Sequence, residues 1–265
     1  MLGKLYKHEF RALFRGILPI YAALFGFSVL SRLTLFVNSD NTVFNTAKGF
    51  IAGGYVLAIV AVFIVALVIV VARFYKNLFT SEGYLTLTLP VTPSNPIFCK
   101  LICGIAVITL SFIAVFLSLC ILGVGTDAME TVLKLLPRMW TELKSYGIPV
   151  KIMLLCFEVL LLFLVSAATS LLMFYSAIAI GQQFRNKVGG AAIAYICIYA
   201  AVQMLSLILV LPATVTGAEK FNNYINGSVD SVCAFMALII VYQLILSTAY
   251  FLITRYIMTK KINLE

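Results

Sequence analysis

Residues 51–71 read IAGGYVLAIVAVFIVALVIVV, 21 positions without a charge or a proline. Wound as an α-helix the run is about 31 Å long, which matches the ~30 Å hydrocarbon core of a bilayer. It is a membrane span. Apolar runs of spanning length recur at 17–37, 97–122, 152–180, 188–211 and 231–257. The whole chain of 265 residues is 63% hydrophobic and 11% charged, far more apolar than a soluble domain can bury. Six spans use about 120 residues, so a sizeable soluble catalytic domain is excluded. The fold expected is an all-α integral membrane protein with six transmembrane helices.

Six spans place both termini on one side. That side carries Lys4, Lys7, Arg11, Arg15, Arg73, Lys76, Lys100, Arg185, Lys187, Arg255, Lys260 and Lys261, against Glu9, Glu82 and Glu265. The remaining basic and acidic residues balance. Positive charge gathers on the cytoplasmic side of membranes, so both termini are expected in the cytoplasm, and the net charge of +9 reports orientation rather than nucleic-acid binding. Residues 1–16 form an amphipathic pattern: Leu2, Leu5, Tyr6 and Leu13 share one helical face, and Lys4, Lys7, His8, Arg11 and Arg15 the other. This predicts an interfacial elbow helix, with Glu9 out of place on its apolar side. Gly16 and Pro19 then let the chain turn into the first span. The first apolar run is long enough to span, which is not the pattern of a removable signal.

Three further segments have structure of their own. Residues 126–147 read as an extracellular surface helix, with Asp127 and Glu130 as a capping-box-like start, Pro137 as a kink and Trp140 at the headgroup level; it serves either as interfacial packing or as a lid. Residues 212–230, rich in Pro, Gly, Asn and Thr, suit a re-entrant segment. The small-residue stretches Gly49-Phe-Ile-Ala-Gly53-Gly54 and Gly189-Gly190-Ala191-Ala192 suit close helix packing within one subunit.

Enzyme chemistry is missing. The six cysteines have no CxxC spacing and His8 has no second histidine to join it, so neither a zinc site nor a disulfide framework is expected. The segment GQQFRNKV at 181–188 has a lysine but lacks the second glycine and the hydroxyl residue of a P-loop, and no HExxH or GxSxG occurs. No metal or other cofactor is expected on this chain.

The stretch 73–100, RFYKNLFTSEGYLTLTLPVTPSNPIFCK, joins spans two and three. Its acidic residue and glycine, short apolar segment, Thr-Pro step and apolar residue before lysine fall at Glu82, Gly83, Tyr84–Leu89, Thr92-Pro93, Ile97 and Lys100. This resembles the intracellular coupling loop of permease subunits of ABC-2 type exporters, and the string EGYLTLTLP looks most like exporters of lantibiotic-like or phenol-soluble-modulin-like peptides. The resemblance implies a short coupling helix, with Glu82, Gly83, Tyr84, Leu85, Leu87 and Leu89 docking on a separate ATP-binding subunit that holds ATP and magnesium. It implies a second copy of the chain or a paralogous permease, an amphipathic peptide cargo, and a bacterial cytoplasmic membrane. Pro90, Pro93 and Pro96 hold that helix to about two turns. Phe79, Tyr84, Leu85, Leu87 and Leu89 are too apolar for a freely solvated loop.

The spans themselves carry few polar groups. Tyr195, Tyr199, Gln203 and Ser206 form one stripe, and Gln243, Ser247, Tyr250 and Thr254 another; each serves either helix contact or a pathway. Arg32 and Glu158 lie at similar depths from the outer face and are candidates for an ion pair, with separate snorkelling or cargo contact by Glu158 as alternatives. An ion-coupled secondary transporter and a non-transporting scaffold or immunity protein are the rival functions compatible with this composition.

Overall fold

The computed structural model describes residues 2–36, 42–79, 94–126, 149–227 and 229–260, with 129–131, 133–135, 137, 138 and 141. Six helices carry them: α1 (Leu2–Phe36), α2 (Thr42–Phe79), α3 (Ser94–Gly123), α4 (Pro149–Gly181), α5 (Lys187–Gly227) and α6 (Val229–Lys260). The described residues form no strand. Each helix is long and apolar enough to cross a membrane, as the six apolar runs require. The protein is all-helical with multi-pass character.

Three local expectations change. No turn separates an elbow from the first span, because α1 runs unbroken through Gly16 and Pro19. Proline removes one backbone donor, a loss that membrane helices tolerate where a neighbour packs alongside. Here Leu13 and Ile17 are buried, and Gly16 brings α1 within 3.5 Å of Ile69 on α2, measured from where a Cβ would stand. Likewise the helical backbone of α5 continues through Pro212 to Gly227, where a re-entrant segment is expected. In the outer helix, the described residues between 129 and 141 are helical, but the cap is Thr126: its hydroxyl accepts the Met129 N–H at 3.4 Å. Asp127 and Trp140 lie outside the described residues.

The chain divides into two compact units. The first comprises Met1–Arg73 and Ile102–Ser145. Its core is Leu24, Tyr55, Val62, Ala114 and Val115, with Ile20, Phe25 and Phe63 packed around them. Two tyrosines tie α3 into this core: Tyr21 meets Ser111 at 2.8 Å and Tyr55 meets Ser118 at 2.9 Å, hydroxyl to hydroxyl. The second unit comprises Phe74–Leu101 and Tyr146–Glu265, in which α4 packs against both α5 and α6. Its α4–α5 connection is very tight. A Cβ on Gly181 would stand 2.5 Å from the backbone nitrogen of Ala191, and one on Gly190 would stand 2.7 Å from Phe184 Cβ. Asn186 caps α5 by accepting the Gly189 N–H at 3.2 Å.

The small-residue stretches therefore divide. Gly181 and Gly190 make close approaches in the second unit and Gly54 sits 3.1 Å from Phe27 in the first, but Gly53 and Gly49 have nothing within 4 Å. Gly53 is not a packing glycine within this fold. Accordingly Gly181→Ala, which collides with main chain that cannot rotate away, should destabilise by about 1–3 kcal/mol, while Gly53→Leu leaves the unfolding midpoint in lipid unchanged. Equal losses for the two variants would mean that another surface covers Gly53.

Candidate functional site

The loop that carries the coupling-like residues leaves α2 at Phe79 and enters α3 at Ser94. Glu82, Gly83, Tyr84, Leu85, Leu87 and Leu89 lie outside the described residues, so the site that can be built is the base on which this loop stands. All of that base belongs to the second unit. On α2, Phe74 and Leu78 are four residues apart, share one face and are fully buried. On α3, Ile97, Lys100 and Leu101 repeat the helical step and are buried. From α4 come Leu171, Tyr175 and Ala179, again on one face and with no exposed surface.

Tyr175 joins these parts. Its ring lies flat on Phe74, with centroids 3.7 Å apart and planes 6° from parallel. Phe79 meets the other edge of Phe74 at 5.9 Å. The Tyr175 hydroxyl donates to the Lys100 carbonyl at 3.4 Å, a long bond but one buried from competing water. One side chain on α4 thus touches both the helix that enters the loop and the helix that leaves it. The base is buried and largely aromatic, and a displacement of either helix end would reach α4 through Tyr175.

One residue before Phe74, in the first unit, Arg73 Nε donates to Glu9 Oε2 at 2.7 Å. The Glu9 side chain is nine-tenths buried and that of Arg73 two-thirds buried. The acidic residue that spoils the apolar face of the N-terminal pattern is therefore the ion-pair partner of the last α2 residue in its unit.

The two polar stripes separate. Gln243, Ser247, Tyr250 and Thr254 lie on the inner face of α6, where Ser247, Tyr250 and Thr254 are buried. Gln203 and Tyr199 face outward on α5, and Ser206 is half-buried and donates to the Gln203 carbonyl at 2.8 Å. The packing of the second unit does not bring the two stripes together. Arg32 belongs to the first unit, with Nη2 standing 2.9 Å from the place of a Cβ on Gly125, a residue whose φ of 70° suits only glycine readily. Glu158 belongs to the second, and its Oε2 is buried without a hydrogen-bond partner.

Sequence reading misses Tyr175 and the Glu9–Arg73 pair. Tyr175 is one aromatic residue in an apolar run and carries no signal; Glu9 carries one, a carboxylate on a buried face, but finding its partner needs the packing of α2 on α1. Replacing Tyr175 with alanine should cost about 3–5 kcal/mol, whereas Tyr175→Phe, which keeps the stack, should cost about 1 kcal/mol. Chemical denaturation in lipid–detergent micelles reads both. In double-mutant cycles, Glu9→Gln with Arg73→Gln should reveal a coupling of about 1–3 kcal/mol; the same cycle on Arg32 and Glu158 tests their pairing, and additive losses there would dismiss it. No family model, curated protein or solved structure matches this chain.

Proposed function

We propose that the chain is the transmembrane permease subunit of an ATP-driven ABC-2 type exporter in a bacterial cytoplasmic membrane, with both termini in the cytoplasm. The observation that carries the reading is the 73–100 stretch, whose Glu82-Gly83-Tyr84-Leu85-Thr-Leu87-Thr-Leu89 sequence suits a short apolar helix docked in the groove of a separate ATP-binding subunit. The chain itself does no ATP chemistry; ATP and magnesium sit on the partner.

In this reading, closure of the partner subunits displaces the docked loop, and the displacement passes through Phe74, Tyr175 and the Lys100 carbonyl to α4. Support comes from the base itself, because one buried side chain on α4 meets the helix ends on both sides of the loop, stacking on Phe74 and bonding the Lys100 carbonyl. Two permease copies, or one with a paralogue, enclose the path. The cargo is an amphipathic peptide that leaves the cytoplasm or inner leaflet.

An ion-coupled carrier is the second reading, favoured by the orphaned carboxylate oxygen of Glu158. Purification with a co-encoded ATPase and reconstitution in liposomes separates the two. The exporter reading expects cargo-stimulated ATP hydrolysis, and Leu85→Asp should abolish co-purification of the ATPase while the chain still inserts. If that variant keeps its ATPase at wild-type stoichiometry and coupling, the docking assignment is wrong. Transport that runs on a proton or sodium gradient without the ATPase would favour the carrier.

A further inference from the structure

Among the described residues, buried polar side-chain atoms without a hydrogen-bond partner gather on α6. On α6, Gln243, Ser247, Tyr250 and Thr254 recur at steps of four and three residues and share one face. That face meets α4, since Thr169 Oγ1 donates to the Gln243 carbonyl at 3.3 Å. Two of the four side chains satisfy themselves on their own helix: Ser247 donates to the Leu244 carbonyl at 2.9 Å and Thr254 to the Tyr250 carbonyl at 2.8 Å. The other two do not. Among the described residues, Gln243 Oε1 and the Tyr250 hydroxyl are buried without a hydrogen-bond partner, as are the Tyr242 hydroxyl beside them and Glu158 Oε2 further along α4.

A polar atom sealed in an apolar interior without a partner is among the most costly features a helix interface can carry, and leucine or phenylalanine at the same positions would be cheaper. Four such atoms on two neighbouring helices point to a second arrangement in which they are met. The partner must donate to Gln243 Oε1 and Glu158 Oε2, which accept, and must both give and take at the tyrosine hydroxyls. Among the described residues the seam supplies no donor for Gln243 Oε1, because the Ser247 and Thr254 hydroxyls give their protons to backbone and Ile240 and Ile257 beside them are apolar. Water does all of this. We infer that the face of α6 carrying Gln243 and Tyr250 is one wall of a seam that opens between α4 and α6 to admit water, and that the packed arrangement is its closed form. The inference is independent of the exporter reading, since a carrier or a scaffold could hold the same seam.

Opening reverses the order of water contact that burial alone dictates. Tyr250 is 5% exposed, whereas Tyr199, on the outer face of α5, is 55% exposed and faces lipid in a bilayer. Radiolytic hydroxyl-radical footprinting of the wild-type chain in lipid nanodiscs, where the radicals arise from water, should modify Tyr250 several-fold faster than Tyr199. Modification of Tyr199 at an equal or higher rate would overturn the inference. A thiol at position 243, about 10 Å further along α6 than Tyr250, tells a seam from water that merely reaches Tyr250 from the membrane surface. With a water-soluble methanethiosulfonate reagent and site-resolved mass spectrometry, Gln243→Cys should react at least about tenfold faster than the native Cys197, which is exposed on α5 and serves as the lipid-facing reference in the same molecule. If Tyr250 is modified but Gln243→Cys is as inert as Cys197, the seam does not open. Should Gln243→Cys fail to fold, Ser247→Cys, a nearly isosteric change on the same face, decides by the same comparison.

Discussion

Hydrocarbon offers no hydrogen bonds, and every backbone N–H and C=O placed in it must find a partner within the protein. All else in this molecule follows from that constraint. It selects six long helices, and it governs the hydroxyl side chains within them. Ser28, Ser111, Ser118, Ser166, Ser176 and Ser247 each donate to a carbonyl three or four residues earlier on their own helix. A hydroxyl spent in this way is neutral to its surroundings and free to sit on any face. Those that also reach another helix, Ser111 to Tyr21 and Ser118 to Tyr55, turn the same economy into cross-links that apolar packing alone would not orient.

Against this background the polar groups that stay unmet stand out more sharply than they would in a soluble protein, where water reaches most side chains sooner or later. Glu9 and Arg73 are the counter-example: two charges in a poorly hydrated place that resolve each other through a short, charge-assisted bond. Removing both would not obviously harm the helix pair. What the pair supplies is register, because a carboxylate and a guanidinium meet in one geometry whereas leucines slide. It fixes which turn of α1 faces Arg73 within the first unit.

Much of this architecture is legible in the sequence, for a simple reason. Span length and hydropathy are properties of contiguous residues, so the run at 51–71 and its five counterparts locate the helices unaided. Reading fails where a decision depends on a neighbour. Gly16 with Pro19, and Pro212 with its surrounding polar residues, look like turns, but the helical backbone of α1 and α5 runs through both, and in α1 the packing of Leu13, Gly16 and Ile17 outweighs one missing donor. Gly53 and Gly54 are indistinguishable in the string, yet only Gly54 meets a ring. The stripes on α5 and α6 both follow the helical step, but Tyr199 and Gln203 of the first face outward whereas Ser247, Tyr250 and Thr254 of the second are buried, and nothing local to either helix records the difference. At the helix expected over 126–147 the Thr126 hydroxyl accepts the Met129 N–H, within the ordinary ambiguity of helix ends. The loop residues Glu82 to Leu89 carry the functional reading by resemblance, and the structure adds the base beneath them.

The tight α4–α5 connection has a mechanical side. Gly181 lies against the main chain of Ala191, so the adjoining ends of these helices are clamped together with no side chain between them to act as a cushion. The 41-residue helix α5 is about 60 Å long, and beyond the clamp α4 meets it again where Tyr195 stacks on Phe174 with ring centroids 4.6 Å apart. A tilt of about one degree at the clamp sweeps its far end through about 1 Å. A small rotation of α4 is thereby magnified along the length of α5.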